Sequence, residues 1–199
     1  EGEEGSEEEA GTEEAVKRDG LLVWVETPLN PTGEARDLAK YVAKARAVPN
    51  AYVVVDSTFA PPPLQNPFAQ GADMVMHSGT KYFGGHSDML CGVLAVAPHH
   101  RDWVRPMREE RLVLGSTLGS LEGWLGTRSL RTLDLRVRRQ SADAERLVAW
   151  LAAAAADTGS AAHRVVARVV HASLQHDDLA GPDSWLRAQM PHGFGAVFA

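Results

Sequence analysis

Short apolar runs that each lead into a polar residue do most to limit what this chain can fold into. They are Leu21–Glu26 (LLVWVE), residues 51–55 (AYVVV) before Asp56, and residues 73–77 (DMVMH) before Ser78. Brief aliphatic and β-branched stretches of this kind suit strands buried on both faces, which belong to parallel sheets covered by helices. Between the first two, residues 34–47 (EARDLAKYVAKARA) space Leu38, Val42 and Ala45 helically, predicting an amphipathic helix stopped by Pro49 and Asn50. A fourth run at 89–97 completes a β-α-β-loop-β-β order. The expected class is therefore α/β, with a mainly parallel sheet whose ligands gather beyond the carboxyl ends of the strands. Asn30, Asp56 and Ser78 fall at such ends. Further on, residues 99–114 and 120–156 read as helices, 165–173 as a strand, 184–190 as a helical turn or two, and 193–199 as the opening of another strand.

Charge is uneven. Residues 1–20 hold nine acidic side chains against Lys17 and Arg18, and the remainder carries 18 basic and 17 acidic residues. The first segment reads as an acidic, disordered linker or insertion. The rest lacks the basic face that nucleic acid requires. Cys91 is the single cysteine, so neither an internal disulfide nor a cysteine-pair metal site is expected, and a reducing, cytoplasmic setting follows. No apolar run reaches the roughly 20 residues of a membrane span.

The most specific stretch is residues 78–88, SGTKYFGGHSD, which places Lys81 just after the hydroxyls of Ser78 and Thr80 and just before paired glycines. A lysine amine forms a Schiff base with an aldehyde cofactor, and neighbouring hydroxyls can hold a phosphate. Alone, the stretch fits equally well a surface lysine in a glycine loop. Asp56 lies 25 residues earlier and Asn30 a further 26 before that, each at a strand end. A carboxylate can keep a pyridine nitrogen protonated, and an amide can donate to a ring oxygen. A turn or cap role is the plainer reading of either residue taken singly. His86, in the glycine loop, reads as a structural donor. His99 with His100, and His77 with Cys91, lack paired ligand spacing, so no metal is expected. Arg136, Arg138 and Arg139 read as a solvated or interdomain helix face.

Residues 26–32 (ETPLNPT), 56–60 (DSTFA) and 78–88 together resemble the Cys/Met-metabolism family of pyridoxal phosphate (PLP) enzymes, the transsulfuration group. The likeness continues through 128–136 (RSLRTLDLR) and 185–198 (WLRAQMPHGFGAVF). It implies the PLP-dependent transferase fold, fold type I and aspartate-aminotransferase-like. Lys81 is then the Schiff-base lysine, Asp56 the partner of the pyridine nitrogen, Asn30 a neighbour of the ring oxygen, and Ser78 with Thr80 the phosphate ligands. The resemblance also implies a small amino-acid substrate and a homotetramer built as a dimer of dimers. Residues 21–120 are read as the second half of the large PLP-binding domain, 121–160 as connecting helices, and 161–199 as the truncated start of the C-terminal domain. Family members are about twice this length. Their earlier segment supplies a ring-stacking aromatic and a Tyr-x-Arg pair, and their later one a carboxylate-binding arginine. Two departures stand out: Gly79 replaces a larger apolar residue, which is expected to loosen the Lys81 loop, and Ser129 replaces a glycine.

The expected reaction is elimination or replacement at the β or γ carbon of a sulfur amino acid, with residues 193–198 (GFGAVF) and 171–175 (HASLQ) closer to γ-synthase-like members. An aminotransferase is the alternative, because residues 30–33 (NPTG) occur in that group too. The other alternative is a truncated piece without activity.

Overall fold

The computed structural model describes residues 20–199, so the acidic segment lies outside the described residues except for Gly20. Four strands form one sheet in the order β1 (Leu21–Glu26), β2 (Ala51–Asp56), β3 (Met74–Ser78) and β4 (Gly92–Val96). The first three run parallel and β4 runs antiparallel to β3. The register aligns Glu26 with Asp56 and Asp56 with Met76, so the carboxyl ends of the parallel strands share one edge. Among the described residues six α-helices follow the strands or separate them: α1 (Leu38–Arg46), α2 (Val104–Val113), α3 (Ser120–Leu130), α4 (Leu133–Ala156), α5 (His176–Leu179) and α6 (Trp185–Gln189). Helix α1 covers one face of β1 and β2, burying Leu38 and Ala45 against Val25, Val53 and Val55. A second core joins Ala35, Ala60 and Leu64 to Leu133 and Val137 of α4 and to Ala172, Leu186 and Met190 near the end of the chain.

Three expectations change. Strand β1 is not buried on both faces: Leu22 is 59% exposed and Trp24 54%, because among the described residues β1 is the outermost strand and α1 packs on one side alone. The helix expected from residue 34 begins at Leu38, capped by the Asp37 carboxylate on the Lys40 N–H. Three residues around this start instead give their N–H groups to side chains outside the helix: Ala35 to Gln175, Arg36 to Thr27 and Leu38 to Gln189. Residues 165–173 and 193–199 form no strand. They meet through one reciprocal pair of bonds, Val170 N–H to Ala199 O at 2.6 Å and Ala199 N–H to Val170 O at 3.0 Å. Gly193 and Gly195 adopt φ of 123° and 89°, which bends that segment out of ladder geometry.

Candidate active site

Strand β2 delivers Asp56 to the shared edge, and the chain then turns at once. Thr58, 7% exposed, bonds the Asp56 carboxylate twice through Oδ1: its N–H at 3.0 Å and its hydroxyl at 2.6 Å. The Thr58 Oγ1 also accepts the Ser78 N–H at 2.8 Å. Among the described residues no hydrogen bond falls on Asp56 Oδ2, or on the side chains of Ser78, Thr80 or Lys81.

Beyond Ser78 the chain enters a tight series of turns. Lys81 N–H donates to Ser78 O, Gly84 N–H to Gly79 O and Gly85 N–H to Lys81 O, leaving the Lys81 side chain exposed. Thr80, Lys81 and Tyr82 border a hollow of about 410 Å³ that reaches Gln140 of α4. Asp56, Asn30 and Ser78 contribute nothing to its lining. Asn30 is exposed, in the turn after β1, on the same sheet edge but without a bond to Asp56 or Lys81.

Gly79 does not loosen this loop. It is buried, its N–H donates to Cys91 O at 2.8 Å, and a Cβ there would collide with the Cys91 Sγ. The missing side chain makes room for Cys91, so the two positions are complementary. Ser129, the second departure, is 1% exposed and its hydroxyl faces His86 Nδ1 at 3.4 Å, while that nitrogen lies 2.7 Å from Gly84 O. His86 therefore serves the loop as a structural contact.

Of the two readings of this arginine face, solvated or interdomain, Arg136 departs from the solvated one. Its guanidinium donates to Tyr82 O at 2.9 Å, to Ser129 O at 3.0 Å and to the Thr132 hydroxyl at 3.1 Å, clamping the Lys81 loop onto the start of α4. Helical periodicity hid this, because the partner lies outside the helix. Arg138 and Arg139 do face solvent and pair with Asp134 and Asp143 one turn away.

His77, on the opposite face of β3 from Ser78, is 6% exposed and leaves its Nδ1 without a partner among the described residues. Burial lowers its pKa, against the Ser57 carbonyl and the Asp56 charge, which act to raise it. Away from this edge, His99 and His100 converge on buried Asp73, with the three ligand atoms within 4.8 Å of one another. Spacing analysis missed the grouping because Asp73 is remote in the chain. Arg46 Nη2 already donates to the same Asp73 Oδ1 at 2.8 Å, which makes the group an ion-pair cluster.

The donors at the strand ends fit PLP. A primary amine stands ready for an aldehyde. A carboxylate bonded on one oxygen leaves the other for a pyridinium N–H, and the hydroxyls of Ser78 and Thr80, close to Lys81 in the chain, are of the kind that hold a phosphate.

Residues 5–198 match the family described as Cys/Met metabolism PLP-dependent enzyme. The chain is 38% identical over 191 residues to an L-methionine gamma-lyase of Brevibacterium sandarakinum, covering 96% of this chain and 44% of that protein. It is 39% identical over 145 residues to the cystathionine gamma-lyase of Saccharomyces cerevisiae, covering 69% of this chain and 35% of that one. Among solved structures, apo CalE6, a methionine gamma lyase from Micromonospora echinospora, superposes with a TM-score of 0.74 at 37% identity, over 90% of this chain and 44% of its own. A cystathionine gamma synthase from Xanthomonas oryzae pv. oryzae gives 0.73 at 30% identity, over 94% and 44%. The chain thus spans less than half the length of these relatives, and it belongs to the Cys/Met metabolism PLP-dependent enzyme family.

Proposed function

We propose that the protein carrying this chain is a PLP-dependent enzyme of sulfur amino-acid metabolism, acting by elimination or replacement at the β or γ carbon. One observation supports this reading above the others: Asp56 and the Lys81 turn are built on neighbouring strand ends and joined through Thr58. When bound, PLP supplies an electron sink for a carbanion at the substrate Cα. Lys81 Nζ is the amine that would hold the cofactor aldehyde and, when free, would take the Cα proton. Asp56 Oδ2 would hold the proton of the pyridine nitrogen, Asn30 would serve the ring oxygen, and Ser78 with Thr80 would receive the phosphate. Residues 161–199 open the C-terminal domain in this reading, and the assembly is a homotetramer.

The relatives named above divide between lyases and a synthase, so the reaction is proposed at the level of carbon–sulfur bond chemistry. The test is borohydride trapping of added PLP followed by peptide mass spectrometry. A phosphopyridoxyl group on Lys81, lost in Lys81→Ala, is the expected result. Label on other lysines alone, or undiminished label in the variant, would overturn the assignment. Supplied with cystathionine or methionine, the protein is expected to release a 2-oxo acid together with ammonia and a thiol, water supplying the oxo oxygen. Stoichiometric amino transfer to a second oxo acid would instead identify an aminotransferase.

A further inference from the structure

We propose that Thr58 is a positioning residue whose hydroxyl locks the Asp56 carboxylate to the end of β3, so that the acid and the Lys81 turn are held as one unit. The inference rests on the reading that Asp56 and Lys81 hold PLP.

Hydrogen counting sets the direction of the link. The Ser78 N–H can only donate, so Thr58 Oγ1 accepts it, and the one hydroxyl hydrogen goes to Asp56 Oδ1 at 2.6 Å. A bond of that length to a carboxylate is charge-assisted. The Thr58 N–H adds a second donor to the same oxygen, which orients the carboxylate and keeps its other oxygen free for the cofactor side. The link also replaces a ladder bond. Backbone pairing between β2 and β3 ends at Asp56 with Met76, followed by Ser57 N–H to Met76 O at 3.0 Å. The next inward donor on β3, the Ser78 N–H, has the Thr58 side chain as its partner. With Thr58 7% exposed, water is poorly placed to substitute for the lost hydroxyl.

The test compares Thr58→Val, which keeps the shape and removes the hydroxyl, with Thr58→Ser, which keeps the hydroxyl, in the protein carrying this chain. Thr58→Ala replaces the valine variant if that one does not fold. PLP dissociation constants, each also measured in an Asp56→Asn background, form a double-mutant cycle. Thr58→Val is expected to weaken PLP binding on the order of tenfold with Asp56 present and under about twofold in the Asp56→Asn background, while Thr58→Ser stays near wild type. Amide exchange at Ser78 should rise in the valine variant alone. Equal losses in both backgrounds, or a serine variant as weak as the valine one, would overturn the proposal. Absence of PLP binding by the wild-type protein would instead refute the functional reading. The exchange arm then still decides the lock, and unchanged exchange at Ser78 removes it.

Discussion

Asp73 shows how a single buried carboxylate ties the far end of the sheet together. Burial by itself would raise its pKa; the Arg46 guanidinium, the Val53 N–H and the rings of His100 and His99 outweigh that and bring it from 3.8 to about 2. The folded value lies below the unfolded one, so the stabilisation is present above about pH 4 and is lost as pH falls toward 2. Asp73→Asn, which leaves Arg46 facing a neutral amide, is expected to cost roughly 2–3 kcal/mol at neutral pH by urea titration. The deficit relative to wild type should shrink as pH falls through that window; a deficit independent of pH would contradict this account. The pairing of Gly79 with Cys91 carries a related lesson. A glycine that departs from the family pattern reads locally as a loosening, yet the Cys91 side chain fills the space it vacates.

At the scale of elements, the Lys81 loop owes its shape to α4. Arg136 reaches from the first turns of that helix to the Tyr82 carbonyl, and the same guanidinium holds Ser129 O at the end of α3. Arg136→Gln is expected to cost about 2 kcal/mol, the range of hydrogen bonds made by a charged donor. Amide exchange should accelerate at residues 82–85 while the β1–β2 ladder stays protected. Uniform acceleration across the sheet would show that Arg136 stabilises the fold rather than the loop. The start of α1 obeys the same kind of remote control. The segment 34–37 has helical composition, but Gln175, Thr27 and Gln189 take the N–H groups of Ala35, Arg36 and Leu38 and hold the entry extended.

Over the whole molecule, large apolar side chains lie open on the stretch from α2 to α4: Val113 is 87% exposed, Leu114 75%, Trp124 61% and Trp150 63%. Large apolar side chains left open in this number favour association when they adjoin. Expressed as these 199 residues, the chain is expected to bind a hydrophobic dye and to elute above monomer size. Val113→Glu combined with Leu114→Lys should reduce both signals; a monomer with no dye binding would argue against an association surface here. What the sequence by itself determined was a mainly parallel sheet of short strands, the placement of Asp56 and Ser78 at strand ends with Asn30 just beyond one, and the family that the Lys81 motif and the segments around Asn30 and Asp56 resemble. The strands are each written in a few contiguous residues, where an apolar run and the polar residue after it set strand and end, while the family needed three separated segments read together. Only the tertiary structure decided where α1 begins, why 165–173 makes no strand, which partner Arg136 takes, and that Thr58 bridges two strand ends. Those outcomes rest on hydrogen bonds between residues as far apart as Leu38 and Gln189, separated by 151 positions, and no local pattern encodes which distant group arrives to satisfy a given donor.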